Sequence, residues 1–214
     1  MGVRIAVCLH LIPPDNWGYV QDILSYVTTG ARSVENQQHR LTMSGIGVAA
    51  GMKNPTSGDL SVMLNSIYAA QKPHHFIFRG YEVETDGNPY AHSILRGAVN
   101  RYGRSLSNYH YEDINMLLEM YRERDIVNPA VVIDTNHNNS DKKCREQIRI
   151  VKDVLHNRSH SEDMRNFVKG VMVESYIVEG CQKIGDGVYG KSITDPCLGW
   201  ADTEKLIYDI ADRV

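Results

Sequence analysis

Residues 130–174 read AVVIDTNHNNSDKKCREQIRIVKDVLHNRSHSEDMRNFVKGVMVE, and three patterns follow one another within them. An apolar run over 130–134 gives way to the polar segment Thr135-Asn136-His137-Asn138-Asn139-Ser140. Over 141–155, Cys144, Ile148, Val151 and Leu155 recur at helical spacing between charged residues, as the buried stripe of an amphipathic outer helix does. A second apolar run then covers 168–174. The stretch is predicted to fold as strand, helix and strand, and two strands joined through a helix form a parallel crossover.

The same alternation extends outward in both directions. Strands are predicted over 3–9, 31–34, 47–52 and 93–95, and helices over 17–28, 60–70 and 111–124, with a last helix within 202–214. Residues 76–78 read as a short strand or hairpin arm, and 80–90, with the turn chemistry of Asp86-Gly87-Asn88-Pro89, as an inserted hairpin or loop. A long irregular loop follows 174. Six principal strands in βαβα order predict an α/β protein with a parallel sheet, either doubly wound or closed into a barrel. With no low-complexity linker and no break in composition, residues 1–214 are expected to form a single domain.

Size and composition narrow the class. A chain of 214 residues can bury a real core, yet it falls short of the ~250 typical of a complete eight-stranded α/β barrel. The formal charge of −3, with Lys and Arg scattered along the chain, argues against a nucleic-acid binder. Cys8, Cys144, Cys181 and Cys197 form no CxxC pair and no signal-like segment precedes the first strand, so reduced thiols and a cytoplasmic location are expected. No apolar run approaches the ~20 residues that span a bilayer, and no membrane role is predicted.

Charged or metal-competent side chains stand at the ends of successive predicted strands: Arg32, Lys53, Arg96, His137 and Glu174. In a parallel barrel the C-terminal strand ends share one face, where active sites sit, so residues distant in sequence would converge there. Arg32, Lys53 and Arg96 suit a phosphate or a carboxylate, because Arg offers a planar donor fork and Lys a point charge. His137 and Glu174, with Asp195 in the following loop, supply imidazole and carboxylate donors of the kind that hold Mn²⁺, Fe²⁺ or Zn²⁺. The plainer reading of the His137 segment is a polar helix-entry loop capped by Ser140 or Asn139.

Other motifs carry less. Gly185-Asp186-Gly187-Val188-Tyr189-Gly190-Lys191-Ser192 fits the phosphate-loop pattern GxxxxGK[ST] letter for letter. That loop works only with a strand directly before it and a helix directly after, whose N-terminus faces the phosphates, and Pro196 follows too soon for an uninterrupted helix. His74 and His75 are adjacent on a strand candidate and would point to opposite faces. Cys181 and Cys197 flank Glu174 and Asp195, but a small buried hydrophobe is the commoner role of free Cys.

The residues resemble the class I 3-deoxy-D-arabino-heptulosonate 7-phosphate (DAHP) synthases, which open the shikimate route to aromatic amino acids. The resemblance runs through Gly30-Ala31-Arg32-Ser33-Val34-Glu35-Asn36-Gln37, Gly51-Met52-Lys53-Asn54, Ile94-Leu95-Arg96-Gly97 and 133–140. It continues through Val171-Met172-Val173-Glu174-Ser175 and 189–200, covering roughly 17–212. It implies a (β/α)8 TIM-type barrel, with about six of the eight strands in this chain. It also implies condensation of phosphoenolpyruvate with erythrose 4-phosphate, with release of phosphate. The family's motifs carry Ala31, Arg32, Lys53 and Arg96 over as phosphoenolpyruvate contacts, and His137, Glu174 and Asp195 as ligands of a divalent metal (Mn²⁺, Fe²⁺, Zn²⁺ or Co²⁺). Arg32, Lys53, Arg96 and His137 become the expected catalytic residues.

Family chains continue upstream with two further strands, bearing a Gly-Pro-Cys-Ser segment with a fourth metal ligand and a Lys-Pro-Arg segment that contacts both substrates. Neither motif occurs in the 214 residues. The chain is accordingly expected to lack the N-terminal part, to self-associate as a homo-oligomer and to turn over poorly alone. The rival readings are a catalytically impaired remnant that binds phosphorylated ligands or a partner chain, and a nucleotide-dependent enzyme using 185–192.

Overall fold

A computed structural model describes residues 8–10 and 17–214 of the chain. In chain order the elements are β1 (Cys8–His10), α1 (Trp17–Val20), β2 (Tyr26–Thr29), α2 (Gln37–Ser44), β3 (Ala49–Lys53), α3 (Leu60–Gln71), β4 (His74–Phe78), β5 (Tyr81–Thr85), β6 (Ala91–Leu95), β7 (Ala98–Val99) and β8 (Ser105–Leu106). There follow α4 (Tyr111–Arg122), β9 (Val131–Asp134), α5 (Glu146–His160), α6 (Glu162–Phe167), β10 (Val168–Met172), β11 (Val178–Cys181), β12 (Lys191–Ser192) and α7 (Trp200–Ala211). The described residues gather into two compact units, one of 8–10, 17–95 and 115–132, the other of 96–114 and 133–214.

In the first unit β1, β2, β3 and β6 are parallel neighbours in that order. Nearly every residue of β3 and all of β6 are buried, the mark of parallel strands covered on both faces rather than strands with one wet side. The amide and hydroxyl of Ser93 on β6 both donate to the carbonyl of Ala130, at 3.2 and 2.8 Å. Helix α3 begins where the carboxylate of Asp59 accepts from the amides of Ser61 and Val62, and it buries Met63, Leu64, Ile67 and Ala70 along one stripe. Strands β4 and β5 form a separate antiparallel hairpin, turned by Arg79 and Gly80, both at positive φ as a tight two-residue turn requires.

The second unit holds a core of Val151, Leu198 and Leu206, with Ile148, Leu155, Val171, Val173 and Ile210 packed around it. Helices α5 and α7 thereby cover the segment that leads out of β10. The amide of Thr135, just past β9, donates to the carbonyl of Met172 at 2.9 Å and so continues the pairing of these strands. Beyond β10 the segment predicted as an irregular loop contains the short parallel pair β11 and β12, and bridges from Ser175 to Leu198 and from Gly180 to Cys197.

Parallel strands alternating with helices make this the α/β class that the sequence predicts, but several boundaries move. The predicted helix over 17–28 is one turn long, because the β-branched run Val27-Thr28-Thr29 joins strand β2 between β1 and β3. The predicted strand over 31–34 is a turn in which the amides of Ser33 and Val34 both donate to Gly30. Helix α2 follows it, capped by the Asn36 side chain, and its polar sequence QQHRLTMS gives little apolar period from which to predict it. Helix α5 begins five residues late, since Asp141 and Lys142 sit at positive φ and cannot open a right-handed helix. Of the predicted first strand, 3–7 lie outside the described residues and Cys8 and Leu9 fall within β1. No helix among the described residues is long and apolar enough to cross a membrane.

Candidate metal centre

The second unit brings together His137, from the loop after β9, Glu174, two residues past β10, and Asp195, in the segment between β12 and α7. One ligand atom from each lies within 4.8 Å of the others, and among the described residues no other three His, Cys, Asp or Glu side chains do so. The Nε2 of His137 stands 3.4 Å from Oε1 of Glu174 and 3.8 Å from Oδ2 of Asp195. These side chains keep 18%, 28% and 27% of their surface in contact with solvent, so the centre is open to a small ligand.

Each donor is oriented by a neighbour. Oδ2 of the fully buried Asp134 lies 2.9 Å from Nδ1 of His137, where its charge favours a proton on that nitrogen although the two are not aligned as a hydrogen bond. The far oxygen of Glu174, Oε2, accepts from Nδ2 of Asn136 at 2.7 Å, leaving Oε1 toward the histidine. Asp195 gives Oδ1 to the ammonium of Lys142 at 2.7 Å and turns Oδ2 inward. One nitrogen and two carboxylate oxygens, converging with their outer atoms held elsewhere, fit a divalent first-row cation. His137 has φ of 46°, a conformation uncommon outside glycine, and the fold holds it there through bonds from Asn138, Asn139 and Ser140 on its C-terminal side.

Arg96 belongs to this unit as well, immediately after β6. It is almost fully buried, its guanidinium donates to Oδ1 of Asn138, and its carbonyl accepts from the amide of Asn138. Gly97 permits that closeness: it has φ of 77°, and a Cβ there would stand 2.6 Å from the backbone of Asn138 and Asn139. Arg32 and Lys53 lie in the first unit. Lys53 is the buried last residue of β3, while Arg32 is exposed in the turn three residues past β2, beside Ala31, rather than at a strand end.

Cys181 and Cys197 fall outside the ligand group. Burial pushes the Cys197 thiol above its ordinary range, the Ser192 contact offsets part of this, and the nearby Glu174 and Asp195 carboxylates add to the rise. Lys191 and Ser192 of the phosphate-loop pattern are strand residues, and no helix follows them before Trp200. Sequence reasoning missed Asp134 and Lys142. Only Asp134 left a signal, as a carboxylate three residues before a histidine at a strand end.

The model of the DAHP synthetase I family matches residues 3–207. The phospho-2-dehydro-3-deoxyheptonate aldolase of Haemophilus influenzae is 37% identical over 96% of this chain and 56% of its own length. The Trp-sensitive phospho-2-dehydro-3-deoxyheptonate aldolase of Escherichia coli K12 is 35% identical over 92% of this chain and 56% of its own. A solved phospho-2-dehydro-3-deoxyheptonate aldolase from Francisella tularensis SCHU S4 superposes with a TM-score of 0.87 at 31% identity, over 98% of this chain and 61% of that one. The chain belongs to the DAHP synthetase I family, and its α/β fold accords with part of a TIM-type barrel. It spans about half the length of the curated relatives it matches.

Proposed function

We propose that this chain carries DAHP synthase chemistry: it condenses phosphoenolpyruvate with erythrose 4-phosphate to 3-deoxy-D-arabino-heptulosonate 7-phosphate and inorganic phosphate. The observation that carries the reading is the convergence of His137, Glu174 and Asp195, each lying in a segment that also bears the family resemblance. We assign these three to a divalent metal, Mn²⁺, Fe²⁺, Zn²⁺ or Co²⁺, which when bound supplies Lewis-acid polarisation of the aldehyde. From the family resemblance we assign Ala31, Arg32, Lys53 and Arg96 to phosphoenolpyruvate. Their cationic groups hold its phosphate and carboxylate and fix the enol carbon for attack.

In that reaction C3 of phosphoenolpyruvate bonds to the aldehyde carbon, whose oxygen takes up a proton. Water adds at C2, and the C–O bond to phosphate breaks to leave the ketone. Arg96 is suited to its part because one arm of its guanidinium already donates to Asn138, which orients the group before substrate arrives. A cytoplasmic location, self-association and a single domain over 1–214 belong to the same proposal.

The test is phosphate release from phosphoenolpyruvate by the purified chain, with and without erythrose 4-phosphate and Mn²⁺, beside calorimetric titration of phosphoenolpyruvate. Weak release that requires both additions is the expected result, because the chain is expected to turn over poorly alone. Phosphoenolpyruvate affinity unaltered by Lys53→Ala together with Arg96→Ala overturns the assignment, and ATP hydrolysis favours a nucleotide-dependent reading.

A further inference from the structure

Two buried amide side chains meet at Glu174. Gln147, fully buried on α5, donates from Nε2 to the carbonyl of Glu174 at 3.0 Å and accepts the amide of Glu174 on Oε1 at 2.9 Å. Its Oε1 also accepts from the hydroxyl of Thr135 at 3.2 Å, which ties the clamp to the strand end that precedes His137. Asn136, also fully buried, donates from Nδ2 to the carboxylate of Glu174 at 2.7 Å and to the carbonyl of Pro196 at 3.2 Å. Its Oδ1 accepts from Ser140 at 2.9 Å. One amide thus fixes the main chain of Glu174, and the other fixes its carboxylate and the residue after Asp195.

We propose that Gln147 and Asn136 are positioning residues that set the spacing of the three metal donors, an inference that rests on the metal-centre reading above. The three donors come from segments far apart in sequence, and Glu174 lies two residues beyond the end of β10, where its carbonyl accepts from the amide of Leu198 at 3.0 Å on one side. Gln147 supplies the other side: a side-chain amide that returns both a donor and an acceptor does what a second strand neighbour would do, and it pairs the amide of Glu174. A polar side chain buried to this degree is costly unless its bonds are made. Here three of the six bonds go to one ligand residue, Glu174. A core role alone would be met by an apolar residue at 147, as at the buried positions Ile150, Val151 and Val154 of the same helix.

The experiment uses the full chain with Mn²⁺ and Co²⁺ as probes. Wild type, Gln147→Met, Gln147→Glu, Asn136→Ala and His137→Ala are compared by calorimetry with Mn²⁺, by the visible absorption of bound Co²⁺, and by thermal unfolding without metal. Gln147→Met removes both arms, whereas Gln147→Glu keeps the size and the acceptor but loses the donor to the Glu174 carbonyl. Loss of Mn²⁺ affinity of about 10- to 100-fold in the Asn136 and Gln147→Met variants, the range typical of groups that orient metal ligands, is expected together with a changed Co²⁺ spectrum. Gln147→Glu is expected to fall between wild type and Gln147→Met. A lowered unfolding temperature with Mn²⁺ affinity within twofold of wild type and an unchanged Co²⁺ spectrum would show a structural role only and overturn the proposal. If His137→Ala leaves Mn²⁺ binding intact, the metal-centre reading itself fails; if it abolishes binding while the amide variants bind as wild type, only the clamp fails.

Discussion

Two polar loops in the same unit, 135–142 and 183–190, invert the usual relation between side-chain character and burial. In the first, Asn136 is fully buried and Ser140 keeps 4% of its surface; in the second, Ile184 keeps 85% and Tyr189 88%. Their hydrogen bonds explain the inversion. From 135–142 bonds reach Asp134, Arg96, Ser105, Asn108, Gln147, Met172, Glu174 and Pro196, so the loop is a junction between segments distant in sequence. The loop at 183–190 bonds mainly to itself: Gln182 holds Val188 from both sides, and Asp186 accepts from the amide of Lys183. A buried loop must satisfy its backbone with protein partners, whereas an exposed one leaves that to water. The loop matching a nucleotide motif by letters is the exposed one, and the loop with no such motif carries His137 and holds the carboxylate of Glu174.

The largest effect expected from this contrast is on metal binding. His137→Ala and Glu174→Gln each remove a donor from the buried junction, and Mn²⁺ affinity should fall by more than the roughly 10- to 100-fold that outer partners contribute. Calorimetry on the full chain measures it. Affinity left unchanged in both variants would break the comparison, because the buried loop would then be no more than a helix entry.

The legibility of the two loops differed for the same reason. His137 and Glu174 could be chosen from the sequence because donor chemistry at the ends of apolar runs is a local pattern, and Asp195 as a carboxylate in the loop that follows. The strand and helix alternation around β9, α5 and β10 was likewise local, since apolar period sets it. Gln147 could not be chosen: one glutamine in the run Arg145-Glu146-Gln147 reads as a solvated helix face, and the predicted stripe of Cys144, Ile148, Val151 and Leu155 placed it outside. The helix buries Gln147, Ile150, Val151 and Val154 instead, because the positive φ of Asp141 and Lys142 delays its start and the bonds to Glu174 turn the glutamine inward. Arg32 shows the converse failure, since Ala31-Arg32-Ser33-Val34 has strand-like composition but turns back on Gly30.

A middle-sized effect tests the burial itself. Asn139 donates to the carbonyl of Asp134 and accepts the amide of Asn108, each at 2.8 Å, within the junction. Asn139→Ala removes both of these bonds from the buried junction, at roughly 1–3 kcal/mol for the two together. Gln182→Ala removes three comparable bonds from the exposed loop, where water takes their place, and should cost less than about 1 kcal/mol. Denaturant unfolding of the two variants side by side gives the answer. Equal costs would mean that the two loops are held in the same way.

The smallest effect separates two lysines, one in the buried loop and one just past the exposed loop. The ammonium of Lys142 lies 2.7 Å from Oδ1 of Asp195, on a side chain that is 52% exposed. It therefore competes with a cation for that carboxylate, though weakly, since exposed pairs are usually worth at most about 1 kcal/mol. Lys142→Ala should raise Mn²⁺ affinity by no more than about fivefold, and by less as salt is added, because screening weakens the attraction that the lysine satisfied. Lys191 holds the position of the phosphate-loop lysine but is a residue of β12 with no helix after it to face a phosphate. Lys191→Ala should leave Mn²⁺ and phosphoenolpyruvate affinity unchanged and alter stability by less than about 0.5 kcal/mol, the range for surface substitutions. Calorimetry at low and high salt distinguishes the pair. Weaker Mn²⁺ binding in Lys142→Ala would mean that the lysine orients Asp195 more than it competes for it, and lost phosphoenolpyruvate binding in Lys191→Ala would return the exposed loop to the chemistry its letters suggest.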